Sequence, residues 1–439
     1  MLLRFEISNH RSILEPVELS MIAVDEDRNS VRKFESLRES VLTVAGIYGP
    51  NASGKSNVID ALTWLSTAVR SSLRTWDNFI PREPFKFDQG PQRPSVFEVE
   101  MMANNVRYLY RIELNESEVL FEGLYSYPEH RRRMLFERNK LSIQFRRGLG
   151  NLAGTKELLT PTTLALSVVL RFDDPGINSF GQQLKGITAF GPRHRFSRNT
   201  GARFNSIGIA STASLFEERL SMTPGLFEEN VSIRSDLRES ALALLRFADL
   251  GIKDVKFVDE IDEQEYDALK TRRRSTRQLQ LIHRAIGNEV SFDFYEESAG
   301  TQTWFSLIGP TLRALESGHV ILIDEIDAGL HSALSSRLLK LFQDPEANPL
   351  GAQLIFTSHD TSLLSHLNRD EVWLTERNDA GETTLSALAE YGGIAVRRSL
   401  NLEKAYLQGR FGAIPQLDQV IWDWILRAST KAKDAPTHS

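Results

Sequence analysis

The residues of this sequence with the clearest chemical potential form a glycine-rich loop. Gly49-Pro50-Asn51-Ala52-Ser53-Gly54-Lys55-Ser56 matches the pattern G-x-x-x-x-G-K-[ST]. Glycines of this kind let backbone N–H groups curl around a phosphate, and a following helix directs its positive N-terminus at the same group. The pattern therefore predicts that Lys55 neutralises the β and γ phosphates of a nucleotide and that Ser56 ligates Mg²⁺.

The segments on either side of the loop have the character that this motif requires. Residues 41–48 (VLTVAGIY) are a short apolar run, typical of a buried parallel strand. Residues 57–69 follow with helical spacing, which places Val58, Leu62 and Val69 on one face. Strand, loop and helix in this order favour a nucleotide loop over a chance glycine turn.

A second candidate group follows an apolar strand far downstream. Residues 319–325 (HVILIDE) end in Asp324 and Glu325. A parallel strand delivers such carboxylates to the edge of the sheet at which ligands bind. Asp324 is expected to hold Mg²⁺ directly or through water, and Glu325 to act as general base on the attacking water. The alternative is a strand that simply ends in solvated acids.

A third strand ends in a polar cluster. Residues 353–360 (QLIFTSHD) place His359 where an imidazole could contact and sense a γ-phosphate. His359 follows Glu325 by 34 residues, about one strand–helix–strand unit, and residues 332–342 (SALSSRLLKLF) supply the helix. A satisfied surface histidine is the alternative.

These pieces in this order resemble the ABC-type ATPase head of the SMC, RecF and OLD groups. The resemblance implies a signature loop before the acidic strand, and residues 296–302 (EESAGTQ) are a degenerate LSGGQ. Ser298 and Gly300 match, whereas Glu297 replaces Leu and Ala299 replaces the first Gly. In such heads the loop contacts ATP held by the opposite subunit, which implies a homodimer with ATP sandwiched between its heads. A capped helix start without a ligand is the alternative.

Further segments narrow the resemblance. The opening FEISNHRSI, LLRFADLGIK (244–253), AGLH at the D-loop position (328–331) and YLQGRFGAIP (406–415) occur in that order. They resemble bacterial ABC-type ATPases classed as AAA proteins, which include RloA-like and AbiL-type abortive-infection components. The resemblance implies a set of nucleotide-binding residues: Arg11, Ser12, Gly49, Asn51, Ala52, Ser53, Gly54, Lys55, Ser56, Asn57, Ser298 and Gly300.

The distance between motifs separates branches of this group. Ser298 follows Gly49 by 249 residues. Transporter ATPase subunits, as a family, have far fewer residues between these two motifs. The long insertion therefore favours the SMC- and RecF-like branch and argues against a transport ATPase.

We expect an α/β fold: an ABC-type P-loop NTPase head with an antiparallel β subdomain and an inserted helical arm. Alternating segments from 84 to 144, with Asn104-Asn105 as a turn, predict the antiparallel sheet. The expected units are the first half of the head (1–195), a mainly helical arm (196–285), the second half of the head (286–395) and a C-terminal segment (396–439).

Three arginine-rich clusters offer a different chemistry. They comprise Arg131–Arg133; Arg193, Arg195 and Arg198; and Lys270, Arg272–Arg274 and Arg277. A solvated face is the simpler interpretation, and a contact surface for DNA or RNA phosphates is the sharper one. Aromatic residues are few among them, which gives no support to base stacking.

Composition excludes several classes of protein. The 439 residues carry a formal net charge of −6, so a globally basic DNA-coating protein is not expected. Without cysteine, disulfides and thiolate metal sites are excluded, which fits a reducing cytoplasm. The sequence shows no apolar run of the roughly 18 residues that span a membrane, and no nuclease-like acid cluster beyond the motifs above.

The leading hypothesis is an ATP-hydrolysing switch, with ATP and Mg²⁺ as ligands. Nucleotide-dependent pairing of two heads would control a partner effector, such as a nuclease encoded nearby, with a role in phage defence implied by the resemblance. The alternative is a DNA repair or recombination ATPase that acts on DNA directly.

Overall fold

A computed structural model describes most of the chain. The described residues are 1–147, 149, 154–191, 204–217, 228–249, 251–261, 275–285, 287–391 and 402–411. Two of the three basic clusters, apart from the backbone of Arg277, lie outside these residues, as do residues 412–415 of the YLQGRFGAIP segment.

The described strands are β1 (Leu2–Ser8), β2 (Val17–Ser20), β3 (Val31–Arg32), β4 (Val41–Leu42), β5 (Val44–Tyr48), β6 (Ser95–Ala103), β7 (Val106–Leu114), β8 (Val119–Ser126), β9 (Arg133–Asn139), β10 (Ser142–Phe145), β11 (Thr188–Phe190), β12 (Ile252–Ile261), β13 (Ser275–Ala285), β14 (Asn288–Asp293), β15 (Val320–Ile323), β16 (Gln353–Thr357), β17 (Val372–Arg377) and β18 (Thr383–Ala387).

The described α-helices are α1 (Lys55–Thr75), α2 (Thr155–Leu158), α3 (Ala165–Val169), α4 (Pro175–Lys185), α5 (Phe204–Phe216), α6 (Glu228–Ala248), α7 (Ala299–Ser317), α8 (Ser332–Gln343) and α9 (Leu402–Leu407). Short 3₁₀ turns include Phe294–Glu296, just before α7, and Arg369–Glu371, just before β17. Within the described residues, none of the helices combines the length and the apolarity needed to cross a membrane.

The central sheet has the strand order β11-β15-β16-β5-β17-β18. All neighbouring strands are parallel except the edge pair β17–β18. Strands β5, β15 and β16 are buried along their whole length, as continuous apolar runs in parallel sheets are. The carboxyl ends of β5, β15 and β16 therefore meet at one edge, with the phosphate loop, the two acids and His359 directly after them.

Apolar side chains alternate between the two faces of this sheet. In β15, Val320 and Leu322 join one core cluster, whereas Ile321 and Ile323 join the other. The predicted apolar face of α1 belongs to the first cluster, together with the antiparallel sheet. Helices α5, α7 and α8 contribute to the second. The central sheet is thus the middle layer of the molecule.

The predicted antiparallel subdomain is confirmed, and it is larger than expected. Its strand order is β10-β9-β8-β7-β6-β1-β2, so the two N-terminal strands extend it. Asn104 and Asn105, at φ 47° and 59°, form the β6–β7 turn, as two-residue hairpins require. The single strand predicted over 41–48 is divided: β4 pairs with β3, and β5 joins the central sheet.

The inserted arm contains strands that the sequence analysis did not predict. Besides α5 and α6, the described part of 196–285 includes β12 and β13, which form an antiparallel sheet with β14. Val255 and Leu281 are buried in the second core cluster beneath α6 and α7. Val255 pairs with Leu281 across β12 and β13 and so shares a face with it, and α6 packs on β12, so burial of this face stabilises the sheet.

Candidate functional site

The phosphate loop connects β5 to α1 at the edge of the central sheet. Lys55 is the first residue of α1, and its Nζ donates to the carbonyl oxygens of Gly49 (2.8 Å) and Pro50 (3.0 Å). Lys55 and Ser56 are 6% and 7% exposed. The ammonium and hydroxyl groups are therefore held inside the loop, where phosphate oxygens bind in proteins with this motif.

Two glycines of the loop are required by both conformation and space. Gly49 and Gly54 have φ values of +151° and +106°, which side chains disfavour. A Cβ on Gly54 would lie 2.0 Å from Thr383 Oγ1, and one on Gly49 would lie 2.4 Å from the carbonyl oxygen of Thr375. The loop can thus pack directly on β17 and β18 only because these positions are glycine.

Thr375 and Thr383 are the loop's structural supports, and sequence reasoning missed them. Ser53 Oγ hydrogen-bonds Thr375 Oγ1 at 2.6 Å, and Thr383 Oγ1 donates to the Ser53 carbonyl at 2.8 Å. Both threonines follow Ser53 by more than 300 residues and belong to no recognisable motif. Only the pairing of β17 with β5 brings them to the loop.

The N-terminal turn places Ser12 beside the phosphate loop, whereas Arg11 is held by carboxylates. Ser12 Oγ accepts from Asn57 Nδ2 at 2.5 Å and hydrogen-bonds Thr383 Oγ1 at 2.6 Å. Arg11 Nε lies 2.9 Å from Asp60 and 3.1 Å from Glu83. Ser12 and Asn57 are thereby next to the loop as expected, and Arg11 is anchored to α1 through Asp60.

A single hydroxyl organises the two acids after β15. Thr357 is fully buried; its Oγ1 donates to Asp324 Oδ1 at 2.8 Å and accepts from the Glu325 N–H at 2.7 Å. Glu325 has φ +56°, an uncommon conformation for a residue with a side chain. A strained backbone conformation persists where neighbouring contacts hold it in place. Here the hydrogen bond from the Glu325 N–H to Thr357 is that contact.

Asp324 and Ser56 offer the oxygen ligands that Mg²⁺ prefers. Asp324 is 1% exposed, and its Oδ2 is buried without a hydrogen-bond partner among the described residues. A buried carboxylate oxygen without a partner is costly unless a cation or water completes it. The residues present therefore fit the metal that the motifs imply.

His359 lies on a loop that Asp327 holds in place. Asp327 Oδ1 accepts from Ser358 Oγ at 2.8 Å and from the His359 N–H at 3.3 Å. Partial loss of hydration, followed by the Lys55 ammonium, lowers the pKa of His359 below its usual range, although Asp327, Glu325 and Asp324 oppose this. Lys55, Asp324 and Glu325 are thus among the charged groups that act on His359. The role of Asp327 was not predicted.

Ser298 lies outside this group of contacts. It is the N-cap of α7: its Oγ accepts from the Thr301 N–H at 3.1 Å, and the residue is exposed. A Cβ on Gly300 would lie 3.3 Å from the Gly329 carbonyl oxygen, so the start of α7 packs on the D-loop of the same chain. Ser298 is therefore exposed at the start of α7, where its hydroxyl caps the first turn of the helix.

The first arginine cluster is exposed beside the antiparallel sheet. Arg131, Arg132 and Arg133 are all exposed, and the Arg132 guanidinium lies 3.9 Å from the centroid of the Tyr125 ring. An open depression of about 690 Å³ adjoins them, lined by Tyr125, Arg111 and Glu98 among others. This surface therefore carries charges of both signs, with Glu98 close to Arg111 and Arg132.

Several solved structures are similar in outline to this chain. The SMC head bound to the C-winged helix domain of ScpA is 12% identical, with 88% of this chain and 97% of that chain covered, at a TM-score of 0.42. The SMC head domain from Thermotoga maritima is 12% identical, with 88% of this chain and 98% of that chain covered, at a TM-score of 0.38. The Smc head domain from Pyrococcus furiosus, bound to the C-terminal domain of ScpA, is 14% identical, with 93% of this chain and 98% of that chain covered, at a TM-score of 0.41. TM-scores of this size do not by themselves establish a relationship. No curated protein matches the chain.

A family model matches the parts of the chain that build the site. Residues 44–162 and 188–365 match the family described as "AAA domain, putative AbiEii toxin, Type IV TA system". The two segments include the phosphate loop, Ser298, both acids and His359, and together they make up about two thirds of the chain. The chain therefore belongs to this AAA-domain family.

Proposed function

We propose that the chain hydrolyses ATP and that nucleotide-dependent pairing of two copies controls a partner protein. The observation that carries the hydrolysis is the double hydrogen bond of Thr357. It fixes Asp324 and Glu325 at the sheet edge where β5 delivers the phosphate loop. This arrangement provides, on one side of a nucleotide site, both the charge to bind phosphates and a base to activate water.

The chemistry assigns each group one task. The Lys55 ammonium binds the β and γ phosphates, and Ser56 and Asp324 hold Mg²⁺, which when bound neutralises phosphate charge. Glu325 accepts a proton from the attacking water as the water oxygen bonds to the γ-phosphorus and the bond to the ADP oxygen breaks. His359 hydrogen-bonds the γ-phosphate, and its lowered pKa favours the neutral imidazole.

The second half of each nucleotide site comes from another copy of the chain in this proposal. Ser298 is exposed, and its hydroxyl and the N-terminus of α7 suit a γ-phosphate. Its loop packs on its own D-loop instead of contacting its own phosphate loop within the described residues. Two heads would therefore sandwich two ATP molecules, and hydrolysis would open the sandwich.

The output of the switch is an effector in a separate chain. The sequence carries no recognisable nuclease motif beyond the ATPase motifs, so the reaction on a target is assigned to a partner, such as a nuclease encoded nearby. The RloA-like and AbiL-type resemblance supports a cytoplasmic role in phage defence. Co-purification of the chain with its neighbouring gene product, with and without ATP, tests this assignment.

A second candidate function is direct action on DNA, and one observation favours it. Arg131, Arg132 and Arg133 are exposed together where the connection from β8 enters β9. DNA binding that weakens steeply with salt, and that the triple change of these arginines to glutamine removes, would favour this function. Binding unaffected by that change would assign them to a solvated face.

Glu325→Gln tests the proposed hydrolysis directly. The variant should bind ATP as the wild type does, turn it over ~10²–10⁴-fold more slowly, and accumulate as a dimer, because the amide keeps the shape of the carboxylate and loses its basicity. ATP turnover and light scattering after gel filtration measure the two effects. Glu346→Gln, on an exposed surface loop, is the matched control. Wild-type turnover in Glu325→Gln would refute the base assignment, and a dimer unresponsive to ATP would refute the sandwich.

A further inference from the structure

Three potential metal ligands converge directly beside the signature loop. Asp249 follows α6, His283 lies on β13, and Glu297 immediately precedes Ser298. One ligand atom from each lies within 4.8 Å of the others. We call these residues the 249–283–297 cluster, and the ATPase assignments above use none of them.

The backbone around the cluster is well fixed. Asp249 Oδ1 accepts from the Gly251 N–H at 2.9 Å, and the Gly251 carbonyl accepts from the Arg284 N–H at 2.9 Å. A Cβ on Gly251 would lie 3.1 Å from Asp249 Oδ1 and 3.3 Å from His283 Nδ1. The turn after α6 therefore packs tightly against the histidine, and glycine permits that approach.

Glu297 is also held from its own side. The preceding 3₁₀ turn is closed by a capping box between Asp293 and Glu296, and the Glu297 carbonyl accepts from Gln302 Nε2 at 2.9 Å. The Glu297 side chain is only 8% exposed, and its Oε1 lies 2.7 Å from His283 Nε2. The ligand atoms are thus positioned before any cation binds.

The charge of the cluster is unbalanced. Two carboxylates share one imidazole, and among the described residues neither Asp249 nor Glu297 forms an ion pair with a lysine or arginine. The side chains of His283 and Glu297 are only 20% and 8% exposed. Burial of uncompensated charge is unfavourable, and a divalent cation would compensate it.

We propose that the 249–283–297 cluster binds a divalent transition-metal ion of the zinc class. An imidazole nitrogen with two carboxylate oxygens is a ligand set for such ions, and partial exposure leaves a fourth position for water. Tetrahedral coordination needs ligand atoms roughly 3.3–3.5 Å apart. The 2.7 Å contact between His283 and Glu297 must therefore open by about 0.6–0.8 Å when the ion binds.

The metal would connect the arm to the signature loop. It would tie the end of α6 and strand β13 to the residue before Ser298, and so fix the start of α7. This consequence for the second half of the nucleotide site rests on the proposed function, whereas metal binding itself does not.

The test measures Zn²⁺ binding to the full chain without nucleotide, by competition with a chromophoric chelator and by thermal unfolding. The wild type should bind one tight Zn²⁺ per chain and unfold at a higher temperature with zinc. Asp249→Asn and His283→Gln should each weaken binding ~100-fold or more, since even changes around metal ligands cost up to that much. Each should also lose the zinc-dependent rise in Tm. His130→Gln, at an exposed histidine, and Asp324→Asn, in the ATPase site, should keep both.

Clear results would overturn the proposal. Absence of tight Zn²⁺ binding in the wild type, or equal binding in Asp249→Asn and His283→Gln, would reject the site. A lower Tm in these variants with no zinc-dependent shift in the wild type would identify a hydrogen-bonded structural pair instead. ATP binding is measured separately on the same samples, so a failure of the ATPase assignment leaves the zinc result unaffected.

Discussion

Replacing Thr357 with valine should damage the ATPase site without changing its shape. Thr357 is buried at the end of β16, and valine has nearly the same volume, so the change leaves little cavity. It removes the hydroxyl that joins Asp324 Oδ1 to the Glu325 N–H. The substitution therefore tests the contribution of one oxygen atom, which hydrogen-bonds the Asp324 carboxylate and the N–H of the strained residue Glu325.

The expected magnitude follows from those two hydrogen bonds. A hydrogen bond to a charged group contributes ~1.5–3 kcal/mol and one between neutral groups ~0.5–1.5 kcal/mol, which gives a loss of about 2–4.5 kcal/mol in the free energy of unfolding. The same loss frees Glu325 to leave its φ of +56°. Because a displacement near 1 Å can cost ~10²-fold in rate, we expect ATP turnover to fall about 100-fold.

Two matched variants separate the hydroxyl from its surroundings. Thr357→Ser keeps the oxygen and loses one methyl group, so it should cost about 1 kcal/mol and retain most turnover. Thr311→Val makes the same Thr-to-Val change at a buried hydroxyl without a hydrogen-bond partner among the described residues, and should be neutral or stabilising. Urea unfolding and steady-state ATP turnover measure both quantities.

The reasoning fails if Thr357→Val hydrolyses ATP at the wild-type rate, or if Thr357→Ser is as defective as Thr357→Val. The first result would show that Glu325 does not depend on this hydroxyl. The second would assign the effect to packing of the methyl group. With either outcome, the hydrogen bonds of Thr357 would no longer support the proposed hydrolysis.

Three further changes test other parts of the molecule. Lys55→Ala should abolish ATP binding, because the loop loses its only cation directed at the β and γ phosphates; an unchanged Kd would contradict this. Ser298→Arg should block hydrolysis but not ATP binding to the single subunit, and mixing it with Lys55→Ala should restore some turnover if composite sites work independently. Normal hydrolysis, or lost binding, in Ser298→Arg would count against action across the dimer. Burial raises the pKa of Glu371 to about 7, although the positive charge of Arg28 opposes this rise. Between about pH 4.5 and pH 7 the folded protein therefore keeps the proton on this carboxyl group, whereas the unfolded chain releases it. Stability should therefore fall as pH rises from about 4.5 to about 7, and Glu371→Gln should flatten that part of the profile; an unchanged slope would refute the assignment.

The local motifs were predictable because each is contiguous and lies directly after a strand. The phosphate loop needs eight consecutive residues, and the apolar runs before Gly49, Asp324 and His359 identify buried parallel strands. Parallel strands place their carboxyl ends together, so the convergence of the three motifs also follows from the sequence. The structure confirms the α/β class and the antiparallel subdomain on these grounds.

The supports of the site were not predictable because they depend on strand order. Thr357, Thr375 and Thr383 contribute single hydroxyl groups, and hydroxyls occur at many strand ends. Their importance appears only once β16 and β17 flank β5, which brings them against the acids and the phosphate loop. No spacing within the chain carries that information.

The strands of the arm were missed for a different reason. In β13, Leu279 and Leu281 lie two residues apart and indicate a strand period, but Gln278 and Gln280 alternate with them. Glutamine and arginine are good helix formers, and they make up four of the eleven residues of β13. Tertiary packing of the apolar face beneath α6 and α7 decides in favour of the sheet.

A continuous chain of contacts links the exposed Ser298 loop to the carboxyl edge of the central sheet. Gly300, next to Ser298, packs on the carbonyl of Gly329 in the D-loop. Asp327 lies two residues before Gly329, and its carboxylate holds the His359 loop by accepting from Ser358 Oγ and the His359 N–H. In the proposed dimer, the nucleotide held by a second copy would contact Ser298. A displacement of Ser298 would then reach the D-loop and, through Asp327, the histidine proposed to contact the γ-phosphate. Close packing of this kind transmits displacement instead of absorbing it, so occupation of one composite site should alter the geometry of the other.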